Sequence, residues 1–128
     1  MLADLDATAT VGVRDMAAAR EFYGNVLGLT PVDTGNAGDA DVALYRSGNT
    51  RVFVYRSEYA GTNQATAITW DVGDKFDAIV AALQSKGARF EHYDMDGMRR
   101  EGDVHLAGDF KVAWLKDPDG NILSINSA

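Results

Sequence analysis

Two histidines, His92 and His105, are the side chains best suited to proton transfer near neutral pH. His92 follows a predicted strand in the sequence FEHYD, which favours a surface or strand-edge position. His105 lies in a long segment without clear periodicity, where it could face a ligand or act as a base. The chain has no cysteine, which excludes disulfides, thiolate metal sites and a thiol nucleophile. The residue types alone assign no catalytic residue.

The acidic sequence DPDGN at 117–121 begins like a calcium-binding loop but does not continue like one. Its glycine comes too early, and the glutamate that closes such a loop is missing. The order Asp-Pro-x-Gly is instead typical of a β-turn. With VAWL before it and ILSI after it, the turn predicts a hairpin that ends the chain. The sequence also lacks a nucleophile elbow, a Walker loop and a dinucleotide-binding glycine motif.

The first half of the chain predicts the order β-α-β-β-β. Alternating residues at 7–13 indicate a strand. Asp15 is a candidate N-cap, the apolar spacing that follows is helical, and Gly28 lies where a glycine would end the helix. Strands are predicted at 30–33, 42–46 and 51–56, with a polar loop at 34–41.

The same order recurs after a linker at 57–64, which indicates an internal repeat. Asp74 is separated from Gly87 by as many residues as Asp15 from Gly28. Strands are predicted at 66–72, 88–93, 112–115 and 122–125. We therefore predict one domain, residues 6–126, made of the repeats 7–57 and 66–126. The segment 94–109 has no counterpart in the first repeat, and its length is typical of a lid or binding arm.

Two motifs carry a resemblance to a known family: the helix VRDMAAAREFYGNVLGL and the turn KDPDGN. Together they resemble the vicinal oxygen chelate superfamily, which includes glyoxalase I, extradiol dioxygenases and bleomycin-resistance proteins, and especially a glyoxalase-like bacterial subgroup. The resemblance implies an α+β fold, in which two βαβββ units form a curved mixed sheet around a cup with the helices on its outer face. It also implies a small-molecule ligand in the cup and a homodimer.

Enzymes of this superfamily hold a divalent metal with His, Gln or Glu side chains from the first and last strands of each unit. The resemblance places these positions at Thr8 and at or near Val52 in the first unit, and at Ala67 (or Thr66) and Ser124 in the second. None of these is a good ligand for a transition metal. We expect neither a metal nor another cofactor, and the enzyme question stays open with a bias against catalysis.

Strand alternation places Trp114 in the predicted cup, together with Val112 and Lys116. A tryptophan there suits a flat or apolar ligand, or it simply fills the cup. Residues of the arm and its neighbours could line the same cavity, because methionine adapts to irregular ligands. The cup-lining candidates are Trp114, Tyr93, Met95, Met98, His105, Val52, Ser124 and Thr8.

The net charge of −7 and the lack of a basic cluster argue against nucleic-acid binding. No apolar run approaches the length of a membrane span, and the N-terminus does not resemble a signal peptide. We expect a cytoplasmic protein.

Three functions are compatible with these features. The first is a metal-free binding protein that sequesters a cationic or aromatic compound, as in bleomycin resistance. The second is a glyoxalase-like lyase or dioxygenase-related enzyme with a non-standard active site, either metal-dependent with unrecognised ligands or metal-free with His105 or an acidic residue as base. The third is an interaction or regulatory module. We favour the first.

Overall fold

The computed structural model describes residues 1–33 and 40–128, so most of the predicted polar loop at 34–41 lies outside the described residues. The first half of the chain contains the strands β1 (Thr8–Val13), β2 (Thr30–Val32), β3 (Val42–Ser47) and β4 (Thr50–Arg56), with the helix α1 (Met16–Arg20) after β1. The order is the predicted β-α-β-β-β.

The first helix changes its winding after α1. Asp15 caps it as expected, accepting a 3.0 Å hydrogen bond from the amide of Ala18. Residues Glu21–Val26 then form a π-helix. Phe22 and Tyr23 both lie in this segment, and both are buried in the core.

The second half contains more strands than predicted. It comprises β5 (Thr66–Asp71), α2 (Phe76–Ser85), β6 (Arg89–Glu91), β7 (Arg99–Glu101), β8 (Val104–Ala107), β9 (Phe110–Lys116) and β10 (Ile122–Asn126). The arm at 94–109 is not a plain loop, because it contains the hairpin β7–β8, which pairs with β9. Asp74 lies in a 3₁₀ turn (Gly73–Lys75), and no side chain within the described ranges caps α2.

The strands form two mixed sheets. The first has the order β1-β4-β3-β2, and the second has the order β5-β10-β9-β8-β7, with β6 also pairing with β9. In each sheet the first strand runs parallel to the last strand of its half. The edges β1 and β5 contact each other and bring the sheets together. This arrangement confirms the predicted α+β class, while the domain and repeat boundaries stay predictions.

One face of both sheets packs against α1 and α2 and forms a single apolar core. Its most buried members include Val13, Val54, Leu115 and Leu123. We call the opposite face the cup face. Because paired residues on neighbouring strands point to the same side, the cup face of the second sheet carries Thr69, Ser124 and Trp114. Among the described residues, no helix is long and apolar enough to cross a membrane.

Candidate functional site

A cavity of about 410 Å³ opens on the cup face of the second half. Trp114, Tyr93 and Met95, which the sequence predicts as cup-lining residues, all line it, together with Asp94 and the start of β5. A volume of this size lies within the range of small-molecule sites. The structure therefore brings three of the eight predicted residues to one cavity.

The register of β9 fixes the position of Trp114. Trp114 pairs with Ser124 on β10 and with Glu91 on β6. Its neighbours Ala113 and Leu115 are fully buried on the helix side. Trp114 is therefore held on the cup face by strands on both sides, and its indole stays partly exposed to the cavity.

Trp114, Tyr93 and His105 form an aromatic cluster at the cavity wall. The ring centroids of Tyr93 and Trp114 lie 5.3 Å apart, and those of His105 and Trp114 lie 4.8 Å apart, both at an interplanar angle of 81°. Edge-to-face contacts of this kind are the preferred geometry of aromatic pairs. Tyr93 and Trp114 therefore give the cavity an aromatic wall.

His105 supports this wall from behind and is only 1% exposed. Its Nε2 accepts a 2.9 Å hydrogen bond from the backbone amide of Tyr93. Its Nδ1 is buried and has no hydrogen-bond partner in the part of the chain that the structure describes. Burial lowers the pKa of His105, and the charges of His92 and Arg100 lower it further, while nearby backbone groups act in the opposite direction. His105 is therefore neutral near pH 7, with its proton on Nδ1.

Three other candidates lie outside the cavity lining described. Ser124 is buried, and its hydroxyl lies 2.7 Å from the hydroxyl of Thr69. Met98 is partly exposed, and its amide donates to the carbonyl oxygen of Met95. Thr8 is exposed and lines a different groove, of about 630 Å³, between the two halves.

The prediction that Val52 faces the cup is wrong. Val52 is 2% exposed and belongs to the apolar core. It pairs with Ala9, whereas its neighbour Phe53 pairs with Thr10 on the cup face. A count that is wrong by one residue reverses the direction of a strand side chain, and the cup position therefore belongs to Phe53.

The register also tests the metal positions that the resemblance implied. On β5 the partner of Ser124 is Thr69, two residues beyond Ala67, which shares its face. In the first sheet the corresponding cup-face pairs are Thr8 with Arg51 and Thr10 with Phe53. Hydroxyl, guanidinium and phenyl groups do not fit a transition metal. Within residues 1–33 and 40–128, no group of three or more His, Asp or Glu side chains is placed to hold a metal ion.

Two polar pairs near the cluster were missed by sequence reasoning. Lys116 and Glu91 form a 2.9 Å ion pair beside Trp114. His92 Nε2 lies 2.7 Å from Oδ1 of Asp103. Hydrogen bonding with His92 holds the pKa of the Asp103 carboxyl below its usual range. Antiparallel pairing of 88–93 with 112–116 could have revealed the first pair. The second pair depends on the hairpin β7–β8, which the sequence did not predict.

The sequence matches one family over nearly its whole length. The profile of the Glyoxalase/Bleomycin resistance protein/Dioxygenase superfamily aligns with residues 5–125. A search of curated protein sequences finds no match for this chain.

Solved structures share the fold at low sequence identity. The fosfomycin resistance protein FosX from Mesorhizobium loti is 14% identical, with a TM-score of 0.69 over 100% of this chain and 94% of FosX. A glyoxalase/dioxygenase from Nostoc punctiforme is 19% identical, with a TM-score of 0.71 over 98% and 90% of the two chains. A lactoylglutathione lyase from Agrobacterium tumefaciens is 14% identical, with a TM-score of 0.67 over 96% and 92%. These structures show the same fold, and the profile match over residues 5–125 establishes that the chain belongs to the Glyoxalase/Bleomycin resistance protein/Dioxygenase superfamily.

Proposed function

We propose that this protein is a metal-free binding protein that holds a small cationic or aromatic compound against Trp114. The observation that carries the proposal is the cavity of about 410 Å³ on which Trp114, Tyr93 and Met95 converge. Aromatic faces and a methionine offer dispersion contacts to a flat ligand without requiring a particular hydrogen-bonding pattern. The cavity therefore suits sequestration.

The charges near the cavity support a cationic ligand. Asp94 lies in its lining, and the whole chain carries a net charge of −7. The carboxylate of Glu91 is neutralised by Lys116, which leaves the Asp94 carboxylate as the acidic group of the lining. A cation over the face of an indole or phenol ring is attracted by the ring quadrupole, by about 0.5–2 kcal/mol.

The side chains at the family's metal positions support a metal-free mode of action. Ser124 stands where the resemblance expects a strong donor, and its hydroxyl bonds to Thr69 on β5, the edge strand of the second sheet. A lyase or dioxygenase that relies on a metal would need those donors from elsewhere. An enzyme with a different active site is the competing function, and metal analysis together with turnover assays separates it from a binding protein.

The binding proposal is tested by tryptophan fluorescence with benzyltrimethylammonium, a compound that is both aromatic and permanently cationic. Benzylphosphonate, an anion with the same ring, serves as the matched ligand control. We expect saturable quenching by the cation and a much weaker response to the anion. The same quenching should persist in Trp70→Phe, because Trp70 packs on the helix side and donates to Ser47. It should vanish in Trp114→Phe.

Two outcomes would contradict the proposal. Quenching that survives in Trp114→Phe would place the ligand elsewhere. A flat response of the wild-type protein across a broad panel of cationic and aromatic compounds would favour an interaction or regulatory module.

The same proposal includes a homodimer in the cytoplasm. Phe53 and Tyr55 stack on the cup face of the first half with centroids 6.1 Å apart, and Tyr55 is 38% exposed. Such an aromatic pair suits burial against a second copy of the chain. Sedimentation equilibrium should give twice the chain mass, and Tyr55→Asp should shift the protein toward monomer. Cell fractionation tests the location.

A further inference from the structure

The hydrogen bond between His105 and Tyr93 connects the cavity wall to the sheet. His105 lies on β8 and faces the cup side, because it pairs with Val112. Tyr93 lies beyond the end of β6, in a segment without strand pairing. The 2.9 Å bond from the Tyr93 amide to His105 Nε2 therefore fixes a wall residue that the sheet itself does not hold.

This bond requires a neutral imidazole. Nε2 can accept a hydrogen bond only through its lone pair, which protonation removes. In the imidazolium form, two N–H groups would face each other at a distance suited to one bond. The site also excludes water, since His105 is almost fully buried, so the new charge would be poorly solvated.

The charged groups around His105 do not compensate for a second positive charge. Arg100 on β7 pairs with His105, and the ring of His92 lies 6.5 Å from it. The carboxylate of Asp103, two residues before His105 on the same hairpin, is already bound by His92 and by Gln84. The remaining ring neighbours, Tyr93 and Trp114, are neutral near pH 7.

From this geometry we propose that His105 is the positioning residue of the cavity: its neutral imidazole holds Tyr93 against Trp114, and its protonation releases Tyr93 and weakens ligand binding. The proposal rests on the proposed function, since it makes ligand retention sensitive to mildly acidic pH. Bound compound is kept near neutrality and released on acidification.

The first test needs no ligand. The amide resonance of Tyr93 is followed by ¹H–¹⁵N NMR from pH 8 to pH 5 in the wild-type protein, in His105→Gln and in His92→Gln. We expect the wild-type amide to shift and to lose hydrogen-exchange protection as His105 titrates, and the His92→Gln amide to behave alike. His105→Gln keeps an acceptor at the place of Nε2 without titrating, so its Tyr93 amide should keep its hydrogen-exchange protection over this pH range. A wild-type amide that is constant over this range overturns the proposal.

The second test measures benzyltrimethylammonium affinity, because the charge of this cation does not depend on pH. Wild-type affinity should fall by up to about tenfold per pH unit below the pKa of His105. His105→Gln loses the ring contact with Trp114 and should bind more weakly than the wild type at pH 8, but its affinity should be the same at pH 8 and at pH 5. His105→Asn, whose acceptor reaches only the place of Nδ1, should bind weakly at both pH values.

The results separate the two proposals. If the wild-type protein does not bind the cation at any pH, the proposed function is contradicted. The NMR titration of the Tyr93 amide then tests separately whether His105 positions Tyr93. Binding with the same pH dependence in wild type and in folded His105→Gln overturns the role of His105. If His105→Gln does not fold, the comparison of wild type with His92→Gln by NMR still decides.

Discussion

The hydroxyl of Tyr23 donates a 2.8 Å hydrogen bond to the carboxylate of Asp117, and this contact joins the two halves of the chain. Tyr23 belongs to the first helical segment, whereas Asp117 begins the turn of the last hairpin, and both are fully buried. Asp117 also accepts from the side chain of Asn121 and from the amides of Asp119 and Asn121. Burial, with the neighbouring Asp117 carboxylate, raises the pKa of Tyr23 far above its usual range. The turn that the sequence predicts as a hairpin connection is thus also a joint between the halves.

Tyr23→Phe removes this joint while preserving the ring. We expect the free energy of unfolding to fall by about 1–3 kcal/mol, because a buried carboxylate loses one of its donors. Urea denaturation measures the change. Tyr59→Phe is the matched control, since Tyr59 is 72% exposed, and it should leave stability unchanged. Equal stability of the two variants would mean that the joint contributes nothing.

Gly61→Ala should disturb the same turn from the linker side. A Cβ at Gly61 would overlap the carbonyl oxygen of Asp119, and its φ of +69° already disfavours a side chain. Gly48→Ala is the control, because its φ is +57° but no atom lies within 4 Å of the added Cβ. Gly48→Ala should cost roughly 1 kcal/mol. Gly61→Ala should cost clearly more in the same urea experiment, and a smaller loss would contradict the close packing of linker and turn.

The pH dependence of stability follows from His105. Burial lowers its pKa from the ordinary 6.5, so the unfolded chain binds more protons than the folded one between the two values. The stabilisation of the fold by neutral His105 is complete above about pH 6.5. It decreases as the pH falls through the pKa that His105 has in the folded protein. The urea midpoint of the wild type should drop between pH 7.5 and 5. His105→Gln should flatten this part of the curve, and a steeper curve in the variant would reverse the assignment.

Asp103 contributes to the pH dependence of stability in a separate, more acidic pH range. Its lowered pKa means that its bonds with His92 and Gln84 stabilise the fold above the ordinary value of 3.8 and are lost below it. Because Asp103 is partly exposed to solvent, this contribution is small. Asp103→Asn should therefore lower the urea midpoint slightly between pH 7.5 and 5 without altering its slope there, and the difference from the wild type should shrink below about pH 3.8.

The metal content of the purified protein tests whether the side chains of the cup face can hold a metal ion. Protein prepared without chelator should contain no stoichiometric zinc, nickel, manganese or iron, because hydroxyl groups stand at the paired positions Thr69 and Ser124. Elemental analysis by mass spectrometry gives the ratio per chain. One equivalent of any of these metals would contradict a metal-free protein and favour the enzymatic alternative.

Sequence patterns predicted the placement of Trp114 better than that of Val52. The alternation around Trp114 is anchored by the hairpin turn, so its register needs only local information. The prediction for Val52 rests on a family pattern, and that pattern does not specify how β4 pairs with β1. A one-residue error on β4 therefore assigned Val52 to the cup face instead of the core, and Phe53 was not recognised as the cup-face residue.

The wall of the cavity could not be read from the sequence for a different reason. The hydrogen bond between Tyr93 and His105 joins residues on separate elements, and the hairpin that carries His105 has few of the β-branched and aromatic residues that signal strands. The π-helix at Glu21–Val26 was equally hidden, because apolar spacing alone does not distinguish it from an α-helix.

The most direct test of the central claim is a crystal structure of the protein grown with benzyltrimethylammonium. We predict electron density for the cation in the cavity, in contact with the rings of Trp114 and Tyr93 and near the carboxylate of Asp94. An empty cavity at saturating cation, or a metal ion bound between Thr69 and Ser124, would contradict a metal-free binding site at Trp114.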